Sequence, residues 1–319
     1  MAQMRSVRLI FVVLCAASRI AFGWGCEGHD MVALIARTHL TSGASSAVDR
    51  LLIENPIHPE LKRFCTDRSS DPMIDAATWA DDVKSSEKTG LWHYIDIPLG
   101  VSSSNGRDLW QWCPPLGPLI EGKERSGCIL NALNQQITEL AAPNVPGPER
   151  ARALRYVIHL MGDLHQPLHT EDNGDQGGNC TSLKFFGRTD PVRLHGAWDY
   201  GLIERDMALQ HSTTASYASA LDRQFAGQWL QRRNEARNFE SWAWESHELA
   251  RNVSYGALTP AIPLAVPGSR LSCDAETANI ASLGISIGEP YFREAMPVID
   301  EQLAKSGYRL AALLNQTFR

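Results

Sequence analysis

Five side chains able to hold a metal or move a proton crowd one stretch of this chain, between Arg155 and Asp199. His159 and Asp163 stand four residues apart, His169 follows, and His195 and Asp199 repeat the four-residue spacing. On a helix, positions i and i+4 lie on one face a turn apart. Each pair therefore presents an imidazole nitrogen and a carboxylate oxygen together, and these are ligands that zinc accepts. A lone His159 in the apolar run RYVIHLMGDL reads as a core histidine. Asp163 one turn on changes that reading, because an apolar helix that buries both groups must satisfy both. A His–Asp hydrogen bond does so, and so does a metal. The recurrence of the spacing at His195 and Asp199 favours the metal.

Other candidates are weaker alone. His165 lies two residues past Asp163, on a different helical face, and reads as structural. Asp81 in TWADD is as compatible with a surface helix acid as with a ligand, and His93 in LWHYID is equally open. His39, His58, His211 and His247 have no paired carboxylate pattern and read as surface or core residues. Nothing in the order of serines, cysteines and histidines suggests a nucleophilic triad.

The elements that must position these groups are helical. Apolar periodicity predicts helices over residues 26–40, 44–53, 74–84, 129–140, 149–165 and 193–209, one continuous helical stretch over 215–252, and a last helix or bent pair over 291–318. Residues 90–98 read as an extended turn carrying His93. Residues 99–128 and 171–180 read as loops, and 181–192 as one small hairpin. The fold class is all-α, a single mainly helical domain with long loops.

The chain has 319 residues, 44% of them hydrophobic, enough for a sizeable core. Residues 1–23 read as a secretory signal: Arg5 and Arg8, a short apolar run from Leu9 to Ala17, then Ala21-Phe22-Gly23 as a cleavage site. The run is too short to span a bilayer. Cleavage makes Trp24 the N-terminus of a domain over 24–319, in a secreted or periplasmic protein without a stable membrane anchor, read as a monomer. A freed α-amino group is a nitrogen donor, and the carbonyl of Trp24 can close a chelate ring with it. Cleavage also removes three arginines and no acid, moving the formal charge from −6 to −9. So acidic a chain has no basic field for nucleic acid, and bound metal must supply the positive charge if the substrate is a phosphate polymer.

Once Cys15 leaves with the signal, six of the seven cysteines remain, an even number that suggests disulfides in an exported chain. The pairing expected is Cys26–Cys65, Cys113–Cys128 and Cys180–Cys273, one of fifteen on paper. Only Cys113–Cys128, closing a short Pro/Gly-rich loop, has a local argument.

The segments WGCEGH, TWADD, LWHYID, HLMGDLHQPLH, DNGDQGGN and LHGAWD, in this order, resemble the motifs of the secreted trinuclear-zinc nucleases of the S-one/P-one type. The fold of that family is related to bacterial zinc phospholipase C. The resemblance runs from Trp24 to about Tyr200 and returns in the last helix. It implies three zinc ions: one held by Asp81, His93, His159 and Asp163, a second by His169, His195 and Asp199, and a third by Trp24 and His29 with Asp163 bridging. It implies an endonuclease that hydrolyses single-stranded DNA and RNA to nucleotides with 5′ phosphates, with 3′-nucleotidase activity alongside. Asp81, Asp163 and Lys84 would act at the phosphate, where Lys84 replaces the family's arginine. Asp96 would bind the base; Tyr94 would stack on it or pack; Asn173 and Asn179 would touch substrate or only shape turns. A phospholipase C-like phosphodiesterase is the alternative that the same metal set would serve. A non-catalytic metal-binding protein is disfavoured by the complete ligand set, and Asp96 favours the nuclease.

Overall fold

A buried helix carrying the first His–Asp pair is the axis of the domain. The computed structural model describes residues 24–66, 68–105, 108–232, 237–265, 273 and 282–319. The signal segment, including Cys15, lies outside them. In chain order the helices are α1 (Cys26–Thr38), α2 (Ser42–Glu54), α3 (Pro72–Asp75), α4 (Trp79–Glu87), α5 (Ile129–Ala141), α6 (Gly147–Leu164), α7 (Leu194–Gly196), α8 (Leu202–Leu209), α9 (Thr214–Gln224), α10 (Ala226–Arg232), α11 (Phe239–Leu249) and α12 (Glu289–Thr317). From Ala153 to Leu164 every residue of α6 is buried, so its polar groups can be satisfied only by protein or by something bound.

Helices α1, α4, α5 and α12 pack around α6. The approach of α12 to α1 is close: a Cβ on Gly307 would lie 2.6 Å from Cγ2 of Ile35. Ser306 Oγ donates to the Met161 carbonyl at 2.8 Å, tying α12 to α6. The expected hairpin forms. Strand β1 (Ser182–Phe185) pairs antiparallel with β2 (Val192–Arg193), with Leu183 opposite Val192. A third strand absent from the sequence reading, β3 (Ser286–Ile287), adds to β1 in parallel. Two residues are too few for a periodic signal.

Two helix expectations are corrected. The stretch 215–252 is not continuous: among the described residues it divides into α9, α10 and α11, and α11 runs into a wide π-type turn at Ala250–Ser254. Phe225 closes α9, with its N–H on the Leu221 carbonyl. The stretch 74–84 is also divided. The chain leaves α3 through Ala76–Thr78 and restarts at Trp79, an interruption that the metal centre uses. The last helix is single and accommodates Pro297 inside it.

The three disulfides are Cys26–Cys65, Cys113–Cys128 and Cys180–Cys273, as expected. The first fixes the start of α1, three residues before His29. No helix among the described residues is long and apolar enough to cross a membrane.

Candidate metal centre

On α6 the i,i+4 spacing does what it promised. His159 Nε2 lies 3.2 Å from Asp163 Oδ2, and both residues are fully buried. His159 Nδ1 is 2.7 Å from the Ala77 carbonyl, which can only accept, so Nδ1 carries the proton and Nε2 the lone pair. The break between α3 and α4 brings that carbonyl within reach of the ring. The restart at Trp79 places Asp81 in the first turn of α4. A short 3₁₀ turn, Gly90–His93, brings His93 alongside. The ligand atoms of Asp81, His93 and His159 all lie within 4.8 Å of one another. His93 Nδ1 is 2.9 Å from Asp163 Oδ2.

The other oxygen of Asp163 faces elsewhere. Oδ1 lies 3.4 Å from His29 Nε2, and His29, His159 and Asp163 form a second compact group. The ring of His29 stacks on His159 with centroids 3.9 Å apart. Gly162 makes room for it: a Cβ there would be 2.7 Å from His29 Nδ1 and 3.7 Å from Trp24 Cδ1. Trp24 and His29 thus meet α6 at the residue just before Asp163. Gly25 N–H donates to the Asp199 carbonyl at 2.7 Å, pinning the start of the domain to the second His–Asp pair.

That pair, with His169, is the third group. His195 is the middle residue of the short α7, and Asp199 sits in a π-type turn, Ala197–Gly201. Such widened turns recur at functional sites. His169 Nδ1 bonds the His93 carbonyl at 2.8 Å and His195 Nδ1 the Gly177 carbonyl at 2.5 Å. Gly177 has φ +60, and a Cβ on it would be 2.6 Å from the Leu168 carbonyl, so the loop needs glycine there. Asp175 braces this loop by accepting from Gly178 N–H and Tyr255 O–H.

The donor set fits zinc. His29 Nδ1 and Nε2, Asp163 Oδ1 and Asp199 Oδ2 are buried with no hydrogen-bond partner. Buried polar atoms without partners are costly, and nitrogen and carboxylate oxygen together are a zinc set. The electrostatics are those of an ion site. Burial pushes the Asp163 carboxyl up, but His159 and His169 outweigh it and hold Asp163 well below the usual range. Burial likewise opposes charge on His159, yet Asp163 and Asp81 raise it to about 9. Burial and His159 lower His29 to about 4, and burial and His169 lower His195 to about 3. His29 and His195 are thereby neutral and Asp163 ionised, the states that ligation demands, whereas His159, charged between two carboxylates, releases its Nε2 proton when a metal binds.

The remaining sequence candidates divide. Lys84 Nζ lies 3.0 Å from Asp81 Oδ1, at the edge of the first group. Tyr94 and Asp96 follow His93 on extended chain and are half-buried. Asn173 spends its amide inside the protein, donating to Pro263 O at 3.0 Å and accepting from Ala265 N–H at 2.8 Å. Asn179 donates to the Gln176 carbonyl. His165 is no ligand: its Nδ1 bonds Met161 O and its Nε2 accepts from Arg309. His247 bridges the Thr170 and Val101 carbonyls, and His39 pairs with Asp222 at 2.6 Å. Gly162, Gly177, Asp175 and Gln166 were not singled out from sequence as parts of the site. A glycine immediately before a buried ligand, and a Gln-Pro turn between two ligands, Asp163 and His169, are the signals that mark Gly162 and Gln166.

Three buried His/Asp groups, two of them sharing His159, define a trinuclear zinc phosphodiester hydrolase. The chain belongs to the S1/P1 nuclease family, whose profile (S1/P1 Nuclease) matches residues 24–319. It is 30% identical over 305 residues to Nuclease S1 of Aspergillus oryzae, covering 94% of this chain and 93% of that one. It is 29% identical over 317 residues to Endonuclease 2 of Arabidopsis thaliana, covering 97% and 96%, and 25% identical over 305 residues to Nuclease P1 of Penicillium citrinum, covering 92% and 97%. The three groups match the trinuclear zinc site of this family.

Proposed function

We propose that this zinc-dependent endonuclease prefers single-stranded DNA and RNA, leaves 5′ phosphates on its products and also acts as a 3′-nucleotidase. The observation that carries the reading is the convergence of two buried groups on the two oxygens of Asp163, with the third group, His169, His195 and Asp199, as a further buried ligand set. Bound zinc supplies Lewis acidity toward the phosphate and a nucleophilic water acidified to near neutrality. Three divalent ions outweigh the carboxylates of Asp81, Asp163 and Asp199, so the loaded centre is positive within an acidic chain and attracts phosphate.

The chain's own groups do the rest. Asp81 and Asp163 hold the nitrogen ligands in register. Lys84 adds a point charge beside Asp81, without the two-pronged grip of an arginine. Asp96 accepts from a nucleobase and Tyr94 offers a ring for stacking; both need a base free of its duplex partner. Asn173 and Asn179 contribute by shaping the glycine loop. The family match begins at Trp24, which supports cleavage before it; the freed amine and the carbonyl of Trp24 then join His29 as ligands, in a secreted or periplasmic monomer.

The test is digestion of matched single- and double-stranded DNA by the processed, zinc-loaded protein, before and after chelation. Faster single-strand cleavage, lost on chelation, restored by zinc and leaving 5′-phosphate ends, is the expected result. Hydrolysis of phosphatidylcholine with no DNA cleavage would overturn it.

A further inference from the structure

We propose that Gln166 is a positioning residue for the zinc centre: its side-chain amide sets which oxygen of Asp199 is presented to metal and locks the turn that carries His169 to that choice. The inference rests on the zinc site alone and stands whatever the substrate.

Gln166 is fully buried and makes four hydrogen bonds, each of which reaches a ligand residue or the turn that holds one. Its backbone N–H donates to the Asp163 carbonyl at 3.0 Å, and its carbonyl accepts from His169 N–H at 2.9 Å. Its Oε1 accepts from Leu168 N–H at 2.6 Å, capping the 3₁₀ turn Pro167–His169. Its Nε2 donates to Asp199 Oδ1 at 2.6 Å. One residue therefore bonds to Asp163, His169 and Asp199.

The consequence for Asp199 is directional. Oδ1 is occupied by the amide. Oδ2 has no hydrogen bond and lies 3.4 Å from His195 Nε2, on the side of the third group. The position demands a donor and an acceptor on one planar group. An ionised glutamate has no donor, a lysine has no acceptor, and an apolar side chain has neither. Groups that hydrogen-bond a ligand fix its orientation, and losing one costs roughly 10–100-fold in metal affinity.

The two halves of the amide separate by substitution. Gln166→Met removes both bonds at nearly constant volume. Gln166→Glu keeps the acceptor for Leu168 and, where both carboxylates are ionised, loses the donor to Asp199, so its zinc binding is followed across roughly pH 6–9. We expect both variants to retain two zinc ions in metal-buffered dialysis and to bind the third roughly 10–100-fold more weakly. With cobalt as the probe, the absorption of one site of the three should change. Thermal unfolding of the zinc-stripped proteins controls for architecture. If Gln166→Met binds all three zinc ions as tightly as the parent, the proposal fails. If both variants lose zinc only in step with unfolding of the stripped protein, or do not fold, the amide belongs to the turn's architecture and the proposal is overturned.

Discussion

The Nε2 atoms of His169 and His195 face each other at 3.2 Å, while Nδ1 of each ring is held by a backbone carbonyl. A carbonyl fixes the proton on Nδ1, so two lone pairs point at one another across the gap. Two neutral imidazoles do not hold that arrangement for their own sake; a cation between them does. Removing zinc should therefore cost stability as well as activity. A ligand at a thousandfold excess over its dissociation constant contributes about 4 kcal/mol. We expect chelation to lower the melting temperature by several degrees and zinc, not magnesium, to restore it. An unchanged melting temperature in calorimetry would argue against ligation.

Gly162 should be intolerant. An added methyl would meet the His29 ring at 2.7 Å with the buried axis helix behind it. Gly162→Ala should displace His29, reduce zinc content by one ion and destabilise the fold by roughly 1–3 kcal/mol, the usual cost of overpacking. Metal analysis with a denaturant titration reads both.

Lys84, 3.0 Å from Asp81 Oδ1 at the edge of the first group, is proposed to act at the phosphate. Lys84→Ala should lower kcat roughly 100-fold with zinc retained, the loss typical of one preorganised donor. Lys84→Arg should raise kcat/KM, because a guanidinium grips phosphate with two bonds. A kcat unchanged in the alanine variant would remove Lys84 from the reaction.

An extra residue placed before Trp24 should leave two zinc ions. Trp24 is fully buried, and a peptide bond in place of its amine removes a nitrogen ligand. Three ions retained in that variant would show that the amine is not used.

A pH effect is built in away from zinc. Tyr217 O–H lies 2.6 Å from Asp206 Oδ2 and 2.7 Å from Asp300 Oδ1. One phenol has one proton to donate, so the second short contact is satisfied when a carboxyl carries a proton. Burial raises Asp300 from the ordinary 3.8 to about 6, with Asp206 adding to the rise and Tyr217 opposing it. A carboxyl raised on folding favours the folded state while protonated, so this contribution is full below about pH 4 and is lost as pH rises through 6. It amounts to roughly 3 kcal/mol at most. Asp300→Asn, which donates without ionising, should be more stable than the parent at pH 8 and no more stable at pH 4. Equal stability at both values, by urea unfolding, would dismiss the shared proton.

The ligands were legible because each sits in a local pattern: two i,i+4 pairs, and motifs that a family keeps in order. Asp81 and His93 were open from their own surroundings and became ligands only by resemblance, because what selects them is the fold bringing α4 and the Gly90–His93 turn beside His159. The groups that hold the ligands in place were not legible. The Ala77 and Gly177 carbonyls have no side chain to read, and Gln166 meets Asp199 across 33 residues. The hairpin was visible in its turn residues, but β3 reaches β1 from about a hundred residues away. The 215–252 stretch misled because helix-forming composition continues through Phe225, where the backbone ends a helix.

The packing of α1 against α12 has a consequence for how the protein is made. The zinc ligands are all present once Asp199 has been synthesised, yet His29 rides on α1, and much of the surface that seats α1 is the last helix of the chain. Gly307 meets Ile35 on α1, and Arg309 meets His165 just past Asp163. A growing chain therefore carries a full set of ligands long before it can bring them together. A truncation that spares every ligand but removes the last thirty residues is expected to leave a polypeptide with scattered zinc-binding side chains and no assembled centre.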